Sequence, residues 1–341
     1  MPAVSVSDLC SPNWRRTGLV LPRTDHGSGS SVVGDPCVVW DDKVGGWRMF
    51  LFFAPPGHAD CVSHDATGAP GSWSTPQPLR FANPQALPAG GGTHKPFLVM
   101  DAHHPNQAAR VDGRFWLLTV SFADGTRSKR VQRAWSGSLA GPWTIEPADL
   151  IPCGGPGEFD ENHVDAVSGF WFEQRAEFLY FYMGYPTRPQ PWPGSPYGNA
   201  IGFATQHLDG PAVKGGVALA PSSWAHGYLG GLQLLPGTTH RWCAVVNGSP
   251  TPPDRAGELT SEEPPPSLGG LAFTDAEYPV TGWTLTDRPF EWITDIPTDA
   301  LAAGEGVNLW RHHVLVTPDV TRLFYNSGSY GCEQLYSKEL I

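Results

Sequence analysis

Side chains that can exchange protons or carry charge stand just ahead of five apolar segments in this chain of 341 residues. In order along the chain, they are Asp35; His94 and Lys95; Glu161, His163 and Asp165; His226 and Tyr228; and Glu305. Carboxyl, imidazole and amine groups act as acids, bases or charged ligands when a protein places them together. An aspartate ahead of a strand can also serve only to form a turn. Because the same placement occurs five times, we favour one shared site.

A recurring tryptophan phrase indicates how these five positions come together. Trp14, Trp73, Trp143 and Trp283 are each soon followed by Leu, Ile or Phe, often beside proline. Their spacing fits units of roughly 60 to 70 residues with one degraded copy, and self-similarity at a fixed period is typical of toroidal or stacked repeat folds. Five such units predict a five-bladed β-propeller.

Each unit has the pattern of a four-stranded blade. In the first unit, apolar strands at 36–40 and 47–54 flank an Asp/Gly turn, and a third strand at 60–64 precedes the phrase at 71–74. Short strands rich in aromatic and β-branched residues, separated by Gly and Pro, are typical of such blades. We therefore predict an all-β fold. The alternative is a two-sheet sandwich.

The whole chain, 1–341, is predicted to be one domain. The blades are expected at 31–80, 91–150, 160–215, 226–290 and 300–341. The last unit has no tryptophan phrase after its third strand, whereas 14–21 carries a phrase with no blade before it. We therefore expect 14–21 to supply the outer strand of the last blade and to close the ring.

Composition limits the partners. The net charge of −11, from 22 Lys and Arg against 33 Asp and Glu, argues against a nucleic-acid partner. The sequence has no apolar stretch long enough to span a bilayer and no signal-peptide pattern at its start, so we expect no membrane partner and a cytoplasmic location. The six cysteines are scattered without a CxxC pair, which favours reduced, mostly buried thiols.

Two long proline-rich segments, at 186–196 and 250–266, interrupt the third and fourth units. Loops of this length inside a compact domain are usually functional or disordered. Trp192 lies in the first of them and could stack on a flat sugar at one mouth of the ring. The two segments could equally be structural filler.

Several short phrases resemble a known group of enzymes. These are the Gly-Asp-Pro at 34–36 before a strand, the phrase at 138–143 ending in Trp143, and the acidic phrase at 158–160 leading into Asp165 and the strand at 178–184. The chain in this respect resembles the five-bladed β-propeller glycosidases of glycoside hydrolase families 43, 32, 68, 117 and 130. The resemblance implies acidic groups at the inner mouth of the ring.

By that resemblance, Asp35 would be the base or nucleophile and Asp165 a carboxylate that tunes pKa values or stabilises the transition state. The resemblance also implies a general acid from the fourth blade. That blade lacks the usual glutamate, and His226 is the proposed acid, as an imidazole can donate a proton near neutral pH. Glu161 and Glu305 are the fallback donors.

The remaining candidate residues are predicted to bind substrate or metal. The predicted substrate-binding residues are His94, Lys95, Glu161, His163, Trp192, Tyr228 and Glu305. No cofactor is required, but His313 stands where some family 43 members place a histidine near a central ion, which suggests a structural Ca²⁺.

We predict a glycoside hydrolase for a small carbohydrate or glycoside. The alternatives are a lyase, isomerase or cyclase acting on a sugar-like metabolite, and a carbohydrate-binding propeller without catalysis.

Overall fold

A computed structural model describes residues 9, 14–23, 32–54, 61–87, 92–122, 129–187, 198–208, 210–250, 267–306, 308–328 and 332–341. These residues form five sheets that follow one another along the chain. The first strand in the chain is β1 (Trp14–Leu21). The first sheet contains β2 (Val32–Asp41), β3 (Gly46–Ala54), β4 (Val62–Ala69), β5 (Ser72–Trp73) and β6 (Gln77–Pro78). The second contains β7 (His94–Leu98), β9 (Phe115–Phe122), β10 (Lys129–Ser136) and β11 (Thr144–Ile145), and β8 (Met100–Asp101) pairs with the third sheet.

The other three sheets repeat this plan. The third contains β12 (His163–Phe172), β13 (Glu177–Tyr185), β14 (Ala200–His207) and β15 (Val213–Leu219). The fourth contains β16 (Tyr228–Pro236), β17 (Trp242–Ser249), β18 (Leu268–Thr274) and β19 (Thr284–Leu285). The fifth contains β20 (Asn308–Val316), β21 (Thr321–Gly328) and β22 (Gln334–Leu340), completed by β1. Helical structure includes a short α-helix at Thr298–Ala302 and several 3₁₀ turns.

The five sheets are arranged in a ring. The innermost strands are β2, β7, β12, β16 and β20, and each contacts the innermost strands of the two adjacent sheets. The outermost strand of the last sheet is β1, which pairs antiparallel with β22 from Trp14 opposite Leu340 onward. The predicted five-bladed β-propeller is confirmed, and the N-terminal strand closes it as expected. The assignment of all 341 residues to one domain stays a prediction.

One hydrogen-bonding pattern joins every blade to the next. The residues at the start of each third strand bond to residues at the start of the following blade's first strand. The five links are Ser63 with Thr93, Lys129 N with His163 Nδ1, Leu229 N with Asn199 O, Leu309 N with Ser267 O, and Val33 N with Glu333 O. This repeat brings the starts of the innermost and third strands to one end of the ring.

The repeated tryptophans pack between blades. Trp73 lies in the fourth strand of its blade, and Trp143 and Trp283 stand just before theirs. Each meets, edge to face, a phenylalanine in the second strand of the preceding blade. The pairs are Trp73 with Phe324, Trp143 with Phe50, and Trp283 with Phe181, at ring-centroid distances of 6.1, 6.1 and 6.4 Å. Large aromatic rings stabilise such contacts mainly through burial, with a further gain from edge-to-face geometry. The tryptophan phrase that recurs in the sequence therefore marks a contact between neighbouring blades.

Among the described residues, no helix is long and apolar enough to cross a membrane. The described cysteines are free thiols, namely Cys37, Cys61, Cys153, Cys243 and Cys332.

Candidate active site at the bulged end of the channel

Every innermost strand carries a β-bulge close to its start. The bulged pairs are Asp35–Pro36, Lys95–Pro96, Ala166–Val167, Gly230–Gly231 and Arg311–His312. A bulge inserts an extra residue and redirects a side chain, and bulges are frequent next to active sites. Proline fits at two of them because a bulge residue need not donate to the ladder. We call this end of the ring the bulged end.

The first residue of four bulges has a left-handed backbone. The φ angles are 54° at Asp35, 54° at Lys95, 49° at Ala166 and 47° at Arg311. This conformation is uncommon for residues other than glycine and persists only where the surrounding structure enforces it, often at functional sites. The same uncommon conformation therefore recurs at the equivalent position of four blades.

Arg311 of the fifth blade bonds to the third and first blades and passes close to the fourth. Its Nη1 donates to the carbonyl of Ala166 at 2.9 Å and its Nη2 to that of Val167 at 2.8 Å. Its Nε lies 3.3 Å from Oδ2 of Asp35. A Cβ added at Gly231 would overlap the guanidinium group, so glycine at this position leaves the room through which Arg311 passes.

Asp35 is 7% exposed and held by one neighbouring side chain. Asn326 donates from Nδ2 to Oδ1 at 2.9 Å, and its Oδ1 accepts the N–H of Asp35 at 2.8 Å. The other carboxylate oxygen, Oδ2, has the ion pair with Arg311 but no hydrogen bond within the described part of the chain. Buried carboxylate oxygens normally have a hydrogen-bond partner, so this oxygen is a candidate for contact with a ligand or water.

Asp165 is fully buried beneath two lysines. Its Oδ2 accepts from Lys129 Nζ at 2.6 Å and from Lys95 Nζ at 2.9 Å, while its Oδ1 accepts the N–H of Ala166 at 2.7 Å. Burial raises the pKa of Asp165, but Lys129 and Lys95 lower it by more, so that it lies well below the usual value. Asp165 is therefore an ionised carboxylate.

The two lysines differ in their proton affinity. Burial lowers the pKa of both, and attraction to Asp165 opposes it. For Lys95, the added attraction of Asp35 leaves the pKa raised, whereas the repulsion from Lys95 leaves that of Lys129 lowered. His163 accepts the backbone N–H of Lys129 at Nδ1, and its pKa is lowered by burial and by the Lys129 charge. His163 is therefore neutral and carries its proton on Nε2. His94 is buried at the start of β7, next to Lys95, and it also lowers the pKa of Asp165.

Three other predicted residues take no part in the hydrogen bonds and ion pairs described for Asp35 and Asp165. His226 follows a 3₁₀ turn and its Nδ1 lies 3.1 Å from the carbonyl of Ser223. Tyr228 is buried at the start of β16. Glu161 accepts from the N–H of Gly157 at 2.9 Å and from the hydroxyl of Thr187 at 2.5 Å, on a surface loop.

Glu305 takes part in a different network from Asp35. It accepts from Nε of Arg16 at 3.1 Å and from the hydroxyl of Tyr325 at 2.5 Å, and it is 3% exposed. Arg16 also binds Glu291, at 2.6 Å. Trp192 lies outside the described residues.

His313 lies deeper in the channel, among hydrogen-bonding groups. Its Nε2 accepts the N–H of Val38 at 3.1 Å and lies 3.1 Å from Nδ2 of Asn106. Burial lowers its pKa to about 3, so the ring is neutral. The described residues contain no group of three or more His, Cys, Asp or Glu that could hold a metal ion. Calcium prefers several oxygen ligands, and His313 does not fit that requirement. The structural Ca²⁺ stays a prediction.

Four further residues lie at this end that are not among the residues predicted from the sequence. Arg311 and Lys129 charge the site, Asn326 orients Asp35, and Glu333 is a buried carboxyl group whose backbone oxygen accepts the N–H of Val33. Asn326 and Lys129 lie at a second-strand end and a third-strand start, so a search restricted to first strands could not find them.

Comparisons with known proteins agree on the fold. No family model matches the sequence, and no curated protein matches it. Solved structures similar to the chain include a glycoside hydrolase with 12% identity and a TM-score of 0.75, covering 96% of this chain and 91% of that one. A thermostable family-43 glycoside hydrolase shares 15% identity over 92% of this chain and 90% of its own, with a TM-score of 0.60.

A third similar structure is Zg3597, a family 117 glycoside hydrolase from the marine bacterium Zobellia galactanivorans. It has 13% identity and a TM-score of 0.56, and the match covers 96% of this chain and 90% of that one. The chain is therefore a five-bladed β-propeller of the architecture found in glycoside hydrolases. The predicted resemblance is confirmed at this structural level.

Proposed function

We propose that this protein is a glycoside hydrolase that acts on a small carbohydrate or glycoside at the bulged end of its channel. One observation carries the proposal. In a fold shared with glycoside hydrolases, the Asp35 carboxylate is buried at the centre with Oδ2 free of hydrogen bonds from the described residues. An ionised carboxylate in this position can activate water or attack the anomeric carbon.

The surroundings of Asp35 suit that role. Asn326 fixes the rotamer of the carboxylate through two hydrogen bonds, and Arg311 supplies a positive charge on the side of Oδ2. A group held in this way needs little reorganisation when charge develops in the transition state.

Asp165 has a supporting part in this proposal. Because its low pKa keeps it ionised, it is unsuited to donate a proton to a leaving group. It neutralises Lys95 and Lys129 and holds their ammonium groups at the mouth. Asp165 thus acts through the lysines, as a positioning residue.

The proton donor is assigned to His226, with Glu333 as the alternative. The bulge of the fourth blade consists of Gly230 and Gly231, so that blade offers no side chain at the position equivalent to Asp35. His226 lies on the turn just before β16, and Glu333 lies at the start of β22 beside Val33. General-acid catalysis is worth roughly 10²- to 10⁴-fold, and it matters most for poor leaving groups.

The donor can be identified with a pair of substrates. Loss of the acid should slow cleavage of an alkyl glycoside far more than that of a 4-nitrophenyl glycoside, whose leaving group needs little protonation. We expect this pattern in His226→Ala. The same pattern in Glu333→Gln alone would transfer the role to Glu333, and its absence from both would remove the assignment.

A second function is favoured by the two lysines. Lys129 has a lowered pKa and lies with Lys95 at the mouth, as a base for β-elimination would. Mass spectrometry of the products distinguishes the reactions. Hydrolysis adds one water across the cleaved bond, whereas elimination adds none and leaves an unsaturated sugar. A protein that binds sugars without turnover would be a binding propeller.

A further inference from the structure

The second strands of the last two blades carry an asparagine at the same position. Asn247 lies in β17 and Asn326 in β21. Each precedes the residue that pairs with a first-strand residue forming an interblade hydrogen bond. These pairs are Gly248 with Leu229 and Ser327 with Leu309. Both asparagines therefore lie at the bulged end.

The amides of the two asparagines differ in their hydrogen bonds. Both polar atoms of the Asn326 amide are bonded to Asp35 of the following blade. In Asn247, which is 5% exposed, Nδ2 donates to Oγ of Ser267 over 3.4 Å. Its Oδ1 is buried and has no hydrogen bond within the part of the chain that the structure describes. Because a buried amide oxygen normally accepts a hydrogen bond and is costly to leave unpaired, Oδ1 of Asn247 is available to a bound group.

The blade that follows explains why this amide is left without the partner that Asn326 has. Asn247 pairs with Gly269, where an added Cβ would overlap the ring of His312, so this face of the fourth blade packs against the fifth. The bulge of the fifth blade carries Arg311 where that of the first carries Asp35. The Arg311 guanidinium donates to two carbonyl groups of the third blade.

Asn247 nevertheless lies close to the centre of the site. A Cβ added at Gly230 would overlap the Asn247 amide, and one added at Gly231 would overlap the guanidinium of Arg311. Arg311 in turn lies with Nε 3.3 Å from Oδ2 of Asp35. The glycine bulge thus connects two oxygens that have no hydrogen bond from the described residues, one on an amide and one on a carboxylate. Sugar hydroxyl groups can donate to both.

We infer that the amide of Asn247 binds a hydroxyl group of the sugar that enters the bulged end, which makes Asn247 a specificity-determining residue. The inference rests on the proposed function of this site and adds a contact from the fourth blade, whose bulge offers no side chain. The amide is neutral and a hydroxyl can donate to its Oδ1. A site built in this way rejects an analogue that lacks the hydroxyl, because the buried amide is then left unpaired.

Calorimetry with monodeoxy sugars tests the inference without depending on turnover. The probes are L-arabinose, D-xylose, D-galactose, D-mannose and D-fructose, and the sugar that the wild type binds most tightly is then compared with its monodeoxy analogues. We expect the wild type to bind one analogue about tenfold more weakly than the parent sugar because that analogue lacks the hydroxyl bound by Asn247. Asn247→Leu should bind the parent and this analogue equally and keep the wild-type preferences at the other hydroxyl positions. The same ratios in Asn247→Leu and the wild type at every position, or no binding of any of these sugars to the wild type, would overturn the inference.

Controls separate a contact with the sugar from a structural role. Leucine resembles asparagine in shape, so Asn247→Leu removes the polar atoms with little change in packing. Asn83→Leu, which removes an amide bonded to the backbone of Ile145, is the matched control and should bind every sugar as the wild type does. An equal loss for the parent and all its analogues in Asn247→Leu would contradict a specific contact. If this variant does not fold, Asn247→Ser, whose shorter side chain lacks the amide, is compared in the same way.

The outcome is separable from that of the hydrolase proposal. A hydroxyl preference that disappears in Asn247→Leu, in a protein that cleaves no glycoside, would support the inference and contradict hydrolysis. Cleavage by the wild type, with the hydroxyl preferences unchanged in Asn247→Leu, would support hydrolysis and overturn the inference. Asp35→Asn should lose turnover while keeping the hydroxyl preferences of the wild type.

Discussion

The two central aspartates have different surroundings and therefore different chemistry. Asp35 is bound by the amide of Asn326 and lies beside one guanidinium group, with one oxygen left for a ligand. Asp165 is covered by two ammonium groups and is an ionised counter-ion. In the proposed mechanism Asp35 is the reacting carboxylate, whereas Asp165 serves as the counter-ion of the two lysines.

At the residue scale, Asp165→Asn should destabilise the protein. The substitution keeps the size of the side chain but leaves Lys95 and Lys129 buried without their shared negative charge. Removing one partner of a buried ion pair costs about 3 to 5 kcal/mol. Urea unfolding measures the loss. Asp112→Asn, at an exposed turn, is the control, since its left-handed backbone also suits asparagine. Equal midpoints for the two variants would refute the expectation.

The stability contributed by Asp165 should also depend on pH. Its pKa in the folded protein is lowered from 3.8, so this stability is present above its unfolded pKa and is lost as pH falls toward the folded pKa. The difference in unfolding free energy between wild type and Asp165→Asn should therefore be constant between about pH 7 and pH 5 and shrink below about pH 4. Unfolding curves from neutral to acid pH would show it, and a difference that grows toward acid would have the wrong sign.

The positions of Asp35 and Asp165 at this end were predictable from the sequence, but their partners were not. Asp35 lies 291 positions from Asn326, which reaches it only because β1 and β22 complete a blade that adjoins the first. Lys129 comes from a third strand, and its approach to Asp165 depends on the packing of the second blade against the third. Such contacts follow from ring closure and cannot be derived from local pattern. Glu305 has the expected position in sequence, but its side chain binds Arg16.

At the scale of the element, the bulge is the feature that forms the site. It occurs in all five innermost strands and sets Asp35, Lys95 and Arg311 in left-handed conformations. In the fourth blade the bulge consists of glycines, and this absence of side chains leaves room for Arg311. The site thus depends on the absence of side chains from the bulge of the fourth blade as well as on the side chains that the other bulges supply.

Gly231→Ala should disturb the site from within this element. The new methyl group would overlap the Arg311 guanidinium and separate it from the carbonyls of Ala166 and Val167. Overpacking of this kind costs about 1 to 3 kcal/mol. Thermal unfolding should show the loss, together with reduced turnover. Gly137→Ala, where an added Cβ meets no atom, should stay within about 0.5 kcal/mol of wild type. A Gly231→Ala protein as stable as that control would argue against the packing described.

The regular spacing of the blades along the chain could be predicted from the sequence, whereas the β-bulges could not. The tryptophan phrase marks the outer strands because Trp73, Trp143 and Trp283 each pack on the preceding blade. The third blade has no such tryptophan, and its outer strand β15 contains Lys214, Gly215 and Gly216 instead, which accounts for the degraded copy. A bulge, in contrast, adds one residue to a strand without altering its apolar character. Only the prolines after Asp35 and Lys95 hint at it.

At the scale of the molecule, the ring depends on the joint that closes it, where β1 joins the fifth blade. The strand β1 adds to β22, and Arg16 on β1 binds Glu291 and Glu305 on the segment that precedes the fifth blade. Lys338 on β22 also binds Glu291, at 2.5 Å. The strands β1 and β22 are thereby both tied to the carboxylate of Glu291.

Arg16→Met should weaken this joint, because it leaves Glu291 and Glu305 with fewer positive partners in a mostly buried setting. We expect a loss of about 3 kcal/mol in unfolding free energy. Arg15→Met, one residue earlier, removes an ion pair of a side chain that is 65% exposed and should cost at most about 1 kcal/mol. Chemical unfolding of both variants gives the comparison. Equal losses of unfolding free energy in the two variants would show that closure of the ring does not depend on the ion pairs of Arg16.

In the proposed function, Asp35 performs hydrolysis at the bulged end of the channel. The most direct measurement compares wild type and Asp35→Asn against arabino-, xylo-, galacto-, manno- and fructo-configured glycosides, with binding followed by calorimetry. We expect wild type to cleave at least one of these, and Asp35→Asn to bind that substrate with similar affinity while its turnover falls by about 10²-fold or more. Cleavage that persists in Asp35→Asn at the wild-type rate would contradict the account.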